Sequence, residues 1–239
     1  TLELADGATL NVQNGIFDGV TLASDLIVDN TTLTLTNGLT LANGAKLTLD
    51  TAQGYGQLSY SGTQTLGGTG SLVFANSSVG YIWASGPGAL TLDTGITVLI
   101  QGYAQLYGYD DANRLINKGR IVMDAAGQSA SLINLDNQGT VELRGGAVSM
   151  NGSFSSLAGG IVISDGVLVV SAPVTSAALR QAITRTGGTV VVSGTLDNTG
   201  QTLHLDATTG SWNLTGTLKG GTLELADGAT LNVQNGIFD

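Results

Sequence analysis

The chain has no cysteine and a single histidine among its 239 residues, and both shortages exclude classes of function. Without cysteine there is no disulfide scaffold, no thiolate zinc site and no cysteine nucleophile. His204 alternates with Leu203 and Leu205, so it is expected on an outer face, and one histidine is too few for a metal cluster. We therefore predict no catalytic residue, no metal and no cofactor, and hence no enzyme.

Positive charge is also scarce, because 8 Lys and Arg stand against 18 Asp and Glu, a formal net charge of −10. A nucleic-acid surface needs clustered basic residues, which excludes nucleic acid as a partner. No apolar run reaches the ~18 to 20 residues of a membrane helix, which argues against membrane insertion. With 42% hydrophobic and only 11% charged residues, the chain is nevertheless expected to fold.

The most informative feature that is present is a long internal repeat. Residues 1–18 read TLELADGATLNVQNGIFD, and residues 222–239 repeat them without a change. The chain thus divides into one complete unit, residues 1–221, and the start of the next, residues 222–239. An engineered or chimeric chain would also produce this identity. Because the chain opens on Thr1, we interpret it as a piece of a longer tandem array.

A shorter period lies inside the unit. The segments GRIVMD, GTVELR and GGIVIS begin at the evenly spaced residues Gly119, Gly139 and Gly159, and their apolar residues fall in columns. Near the start of the chain, GVTLAS and GLTLAN have a similar spacing, and Leu58-Ser59-Tyr60 follows Leu39-Thr40-Leu41 at that spacing again. The pattern predicts a stack of coils with about 19–20 residues in each.

The local pattern indicates what each coil contains. Short alternating runs such as Leu33-Thr34-Leu35 are typical of strands, and the Asn-Gly and Asp-Gly pairs between them supply tight turns. A fixed period, short strands and aligned apolar columns together predict an all-β fold, a parallel β-helix or β-solenoid. We expect a right-handed coil and about 11 coils per unit.

One segment breaks the β pattern. Between Gly159 and Gly187 the spacing is longer than one coil, and it contains APVTSAALRQAITRTGG. Thr175 or Ser176 as the N-cap, apolar residues at helical spacing and Gly187 as the stop predict one short helical insertion near residues 175–185. We expect this helix to pack against one side of the solenoid, although a helix that docks a partner is the alternative.

Two further segments, residues 80–88 and 101–114, are interpreted as loops that leave the coils. They carry the candidate contact residues for a ligand or a neighbouring filament, which are Tyr81, Trp83, Tyr103, Tyr107, Tyr109, Asp110 and Asp111. Exposed aromatic side chains beside acids and amides suit sugar rings or a second filament. The alternative is that these rings only cap corners of the solenoid.

Asp110 and Asp111 form the only adjacent acidic pair, and Arg114 follows shortly after them. Such a group can serve general acid and base chemistry, or it can bind calcium together with Asn113. No second acidic cluster completes a catalytic site, so an exposed polar turn is the preferred interpretation. A polysaccharide lyase or hydrolase is the enzyme alternative.

The segments GTLDNTGQTLHL (194–205), WNLTGTLKGGTLEL (212–225) and YSGTQTLGGTGSLVF (60–74) resemble repeats of very large bacterial surface and secreted proteins. These are β-solenoid adhesins of the filamentous-haemagglutinin and autotransporter-passenger class. The resemblance implies an extracellular or cell-surface location and a structural or adhesive role, with no active-site residues to transfer. The absence of cysteine fits export through an oxidising compartment.

Two functions follow as expectations. The first is a structural unit of a long extracellular filament, whose partners are further copies of the repeat stacked end to end. The second is a glycan- or surface-binding adhesin module that uses the aromatic segments 80–88 and 101–114.

Overall fold

A computed structural model describes residues 1–6, 8–50, 54–76, 79–154 and 156–239. Most of these residues form short strands that pair in parallel, and the chain winds into a β-solenoid of about 10 turns with one short helix. The all-β parallel fold predicted from the repeat is therefore confirmed. The hand of the coil stays a prediction.

The elements in chain order are β1 (Gly15–Leu22), β2 (Leu26–Asp29), β3 (Thr31–Leu41), β4 (Lys46–Asp50), β5 (Gly56–Tyr60), β6 (Gln64–Gly68), β7 (Ser71–Phe74), β8 (Val79–Ala84), β9 (Leu90–Leu92), β10 (Thr97–Ile100), β11 (Tyr103–Tyr107), β12 (Leu115–Asn117), β13 (Arg120–Met123), β14 (Ser129–Ile133), β15 (Leu135–Asn137), β16 (Thr140–Asn151), β17 (Gly160–Val170), β18 (Val174–Thr175), α1 (Ser176–Ala182), β19 (Ile183–Arg185), β20 (Thr189–Val192), β21 (Thr195–Asp197), β22 (Thr202–Leu205), β23 (Trp212–Leu214), β24 (Thr217–Lys219), β25 (Thr222–Leu225), β26 (Leu231–Val233) and β27 (Ile237–Phe238).

The coils contribute strands to three faces, which we call A, B and C. Face A stacks the starts of β1 and β3, then β5, β8, β11 and β14, the ends of β16 and β17, and β20, β23 and β26. Face B contains the ends of β1 and β3, then β6, β9, β12 and β15 and, nearer the C-terminus, β18, β21, β24 and β27. Face C contains β2, β4, β7, β10, β13, the starts of β16 and β17, and then β19, β22 and β25.

The core is built from aligned apolar columns. On face C, Ile121, Val141 and Ile161 pair in register on successive coils, and all three are fully buried. The even spacing of the sequence predicts this column, and the pairing confirms it. Alternation along each strand turns every second side chain inward, so the stack forms one continuous apolar core.

One inward column of face A contains side chains of very different size on different coils. It runs through Gly56, Gly80, Ala104, Ala130, Val148, Leu168, Val190 and Trp212. At Gly80 a neighbouring large side chain occupies the interior, because a Cβ there would lie 2.5 Å from the Phe74 ring, whereas at Gly56 a Cβ would meet backbone oxygens of Val28 and Asp50. Different coils therefore fill the same cross-section with different combinations of side chains.

The coil length is less uniform than the sequence suggested. On face C, Val141 pairs with Ile161, and this spacing is the regular period of the sequence. Leu72 pairs with Val98, which lies six positions beyond the residue that the regular period would pair with Leu72. The predicted stacking of Leu39-Thr40-Leu41 on Leu58-Ser59-Tyr60 is wrong, because 39–41 pairs with 66–68. Longer corners in the first half of the chain displace the strands from the regular spacing.

In the middle of the chain, the face B strands β12 and β15 each end in a buried asparagine, and the side-chain amides of these asparagines form a ladder. Asn117 and Asn137 are fully buried, and the Asn117 Nδ2 donates to the Asn137 Oδ1 at 2.8 Å. The Asn137 Nδ2 donates in turn to the Gly160 carbonyl oxygen at 3.2 Å. Asparagine recurs at this position because its amide bonds both to the equivalent amide and to the backbone of a later coil.

Glycines occur where two coils approach at a corner. A Cβ on Gly139 would lie 2.1 Å from the Gly119 carbonyl oxygen, and one on Gly159 would lie 2.0 Å from the Gly139 carbonyl oxygen. Neither distance leaves room for a side chain. The glycine column at 119, 139 and 159 is therefore required by contact between successive backbones.

The predicted helix is confirmed, but it is shorter than the sequence indicated. Thr175 is the N-cap, and its Oγ1 accepts a hydrogen bond from the Ala178 amide at 3.2 Å. The helix ends at Ala182 and not at Gly187. Residues 183–185 leave the helix because they pair with 161–163 of face C.

The two copies of the repeated segment occupy different surroundings. Residues 222–239 form a full coil whose strands β25, β26 and β27 pair with the three faces of the preceding coil. In residues 1–6 and 8–12 the only ladder contact is the bridge between Leu2 and Leu22. The same residues therefore occupy different faces in the two copies, since Ile16 pairs with β3 on face A and its copy Ile237 pairs with β24 on face B.

Candidate functional site

The candidate aromatic residues lie mainly on strands and not in loops. Tyr81 and Trp83 belong to β8, and Tyr103 and Tyr107 belong to β11, which pairs with β8 in register on face A. The interpretation of 80–88 and 101–114 as loops is therefore wrong for these four residues. Alternation along both strands turns the rings outward, and stacking of the coils brings them together.

Trp83 is the centre of this group. Its ring centroid lies 4.9 Å from that of Tyr107 on the next coil and 6.5 Å from that of Tyr81 on the same strand. Both pairs meet edge to face, a favourable geometry for aromatic rings. The Trp83 side chain is 41% exposed, which is unusual for so large an apolar group. The rings therefore hold one another in place while leaving apolar surface open to solvent.

Gln105 fixes the two tyrosines on either side of it. Its Nε2 donates to the Tyr103 Oη at 2.9 Å, and its Oε1 accepts from the Tyr107 Oη at 2.7 Å. Burial raises the pKa of Tyr107, and the neighbouring hydroxyls of Tyr81 and Tyr103 raise it further. The outer edge of β11 is thus a preorganised row of two phenols and one amide.

Sequence reasoning missed three residues that belong to this group, which are Gln105 and two residues of the preceding coil. Tyr55 and Gln57 lie on the preceding coil, where Gln57 pairs with Tyr81, and together with Trp83 these residues line a depression of about 400 Å³. We call Tyr55, Gln57, Tyr81, Trp83, Tyr103, Gln105 and Tyr107 the aromatic patch. The signal that could have found them is the even spacing of Gln57, Tyr81 and Gln105, which is longer than the period that aligns the later coils.

The remaining candidates lie on a turn at the corner between faces A and B. The Asp110 Oδ1 accepts from the backbone amides of Ala112 and Asn113 and from the Asn113 side chain, at 2.8–2.9 Å. The side-chain hydrogen bond from Asn113 is the main cause of a lowered pKa at Asp110. Asp110 therefore organises the turn, in agreement with the preferred interpretation of a polar turn.

The Asp111 carboxylate is also bound by neighbouring side chains. Its carboxylate lies 3.7 Å from the Arg114 guanidinium and accepts a hydrogen bond from the Ser153 hydroxyl. Tyr109 is exposed beside it, and in the described part of the chain no ring contact links Tyr109 to the aromatic patch. The seven sequence candidates therefore separate into four residues of the patch and three of the turn.

His204 lies on the outer side of face C, as its alternation with leucine predicted. It pairs in register with Glu224 on the next coil, and its Nδ1 lies 3.3 Å from the Glu224 carboxylate. The Asp206 carboxylate lies 3.4 Å from its Nε2. This arrangement is a surface cluster on one strand and its neighbour.

Face C also carries the best-defined ion cluster. Glu142 on β16 accepts from Arg120 at 2.7 Å and from Arg144 at 2.8 Å. Burial opposes ionisation of Glu142, but hydrogen bonds from the two arginines outweigh it and keep its pKa below the usual range. Each carboxylate oxygen thus has its own guanidinium partner.

Replacing Glu142 with glutamine is expected to lower stability at neutral pH by about 1 kcal/mol or less, because the arginines are half exposed. Since folding lowers the pKa of Glu142, its stabilisation is present above the unfolded value of about 4.3 and is lost as pH falls through the folded value. Urea midpoints of the two proteins should therefore differ at pH 7, and the difference should shrink as the pH falls below about 4.3. The matched control is Glu3→Gln, and an equal loss in that variant would contradict the argument.

Comparison of the chain with family models, with curated proteins and with solved structures found no match. Within the residues that the structure describes, no three His, Cys, Asp or Glu side chains are grouped to hold a metal ion. Over the same residues, no helix is long and apolar enough to span a bilayer.

Proposed function

We propose that the chain is a structural unit of a long β-solenoid rod, located outside a bacterial cell or on its surface. The observation that supports the proposal is the coil formed by residues 222–239. Its residues repeat the start of the unit without a change, and its three strands continue faces A, B and C. In a tandem array we expect the start of each unit to extend the stack of the preceding one in this way.

The apolar columns of the core continue into this coil, where their side chains are exposed to solvent. Leu205, Leu214 and Leu218 are at most 4% exposed, whereas their partners Leu225, Val233 and Phe238 on the next coil are 43–60% exposed. A further coil on top would bury these side chains, each fully buried residue contributing about 1.5–3 kcal/mol. In a tandem array, the residues that follow each copy of the repeated segment would supply that coil.

A chain of two complete units followed by the closing segment tests this proposal. At about 4.8 Å per coil, ten further coils should lengthen the particle by about 50 Å, with no change in its cross-section. Small-angle X-ray scattering measures both quantities. The control has a flexible Gly-Ser linker between Gly221 and Thr222, and it should give two rods with variable relative orientation. Equal distance distributions for the two chains would contradict a continuous rod.

The aromatic patch favours a second function, an adhesin module in which the rod carries a binding surface for a glycan. Contiguous exposed aromatic surface with polar edges is a feature of ligand and partner sites. The patch is rigid, because stacked strands hold its backbone and Gln105 links two of its phenols. In this function the rod presents the patch, and no chemistry is carried out there.

A further inference from the structure

In the described strands of face A, the outer side is uncharged from β3 to β26. The outward residues of these ten strands are Thr32, Thr34, Gln57, Ser59, Val79, Tyr81, Trp83, Tyr103, Gln105, Tyr107, Ser129, Ser131, Ile133, Ala147, Ser149, Asn151, Val167, Val169, Thr189, Val191, Asn213 and Asn232. By contrast, the outer side of face C carries Lys46, Arg120, Glu142 and Glu224. The aromatic patch thus lies within a long neutral surface.

Acidic residues border this neutral surface near the patch. Asp50 and Asp124 lie at the ends of β4 and β13, at the corner between faces C and A. Asp110 and Asp111 lie on the opposite corner, shortly after β11. Arg114 lies at the same corner and is paired with Asp111. The carboxylates beside the patch nevertheless outnumber the cations, which disfavours an anionic ligand.

The chemistry of the patch suits an uncharged ligand with hydroxyl groups. Trp83 and Tyr81 offer apolar ring surface, and among the described residues the Trp83 Nε1, the Tyr81 hydroxyl and the Gln57 amide have no hydrogen-bond partner. A pyranose ring has an apolar C–H face that covers an aromatic ring, while its hydroxyls bond to amides and phenols at the edge. Sugar rings satisfy both properties of the patch together.

We infer that the aromatic patch binds a neutral polysaccharide and discriminates against acidic ones. This inference rests on the adhesin function proposed above and names its ligand class. The patch spans three coils, about 10 Å along the rod, which accommodates at least two sugar rings. A second copy of the chain fits less well, because its own patch is bordered by the same acidic corners and the chain carries a net charge of −10.

Affinity electrophoresis of the full chain in gels that contain one polysaccharide at a time tests the inference. The neutral probes are xyloglucan, galactomannan and a mixed-linkage β-glucan, and the acidic probe is polygalacturonate. We expect retardation by at least one neutral probe, with no retardation by polygalacturonate. Trp83→Ala should weaken binding about 10-fold or more, as loss of a central aromatic contact does. Tyr109→Ala is the matched control and should leave binding unchanged.

The possible results separate the two proposals. Stronger binding of polygalacturonate, lost in Trp83→Ala, would overturn the neutral ligand class and leave the adhesin function standing. No retardation by any probe would overturn both. Light scattering of the free chain provides a further check, since self-association that disappears in Trp83→Ala would assign the patch to a second copy instead. Circular dichroism of each variant excludes loss of the fold as the cause.

Discussion

Replacing Val141 with aspartate is expected to destabilise the chain by about 4 kcal/mol or more. Val141 is fully buried between Ile121 and Ile161, and its described surroundings on face C are apolar. The new carboxylate would lie in the core without a partner, and the cost of burying an unpaired charge far exceeds that of the lost methyl groups.

We expect the loss of structure in this variant to be confined at first to the coil of Val141 and its two neighbours. In the described strands, backbone pairing links each coil to its immediate neighbours, so stability is distributed along the stack. Hydrogen exchange followed by mass spectrometry should show faster exchange in 120–123, 140–143 and 160–163 while residues 46–50 keep their protection. Val169→Asp makes the same change on the outer side of β17, where Val169 is partly exposed and pairs with the uncharged Ser149 and Val191, and should cost much less. Uniform loss of protection along the chain would contradict this one-dimensional behaviour.

Replacing Gly159 with alanine is expected to destabilise the chain by about 2–4 kcal/mol, because the new Cβ would lie 2.0 Å from the Gly139 carbonyl oxygen. The clash is with backbone of the preceding coil, so no side-chain rotation relieves it. The corner must open, which lengthens hydrogen bonds such as that from the Gly159 amide to the Asn137 carbonyl oxygen.

The next residue supplies a matched control. A Cβ on Gly160 has no heavy atom within 4 Å, so Gly160→Ala should be neutral or stabilise the chain by up to about 1 kcal/mol through the unfolded state. Urea unfolding of the two variants measures the difference. Equal midpoints would show that close backbone contact does not determine the glycine at position 159.

The fold could be predicted from the sequence because stacking imposes the same residue type at the same place in successive coils. The column of Ile121, Val141 and Ile161 and the pairing of His204 with Glu224 follow directly from one regular spacing. The helix follows from its capping residue, but its end does not. That end depends on the pairing of residues 183–185 with a strand of another coil.

The aromatic patch could be predicted only in part. Tyr81, Trp83, Tyr103 and Tyr107 stand out in the sequence as aromatic residues, but their coils are longer than the regular period, and the extra length suggests loops. Tyr55 and Gln57 lie on a coil that the regular period does not align with Tyr81. Contacts between coils are determined by the length of each corner, and the corners vary independently of the strands.

The column on face A that changes from Gly56 and Gly80 through Val148 to Trp212 makes distant coils differ in their interior packing. A solenoid of equivalent coils could shift by one level during folding and lose little energy. Here such a slip would force Trp212 into the space of Val190, which the packed interior does not allow. The change in side-chain size along this column therefore disfavours a shifted register near Trp212 in a chain built from similar coils.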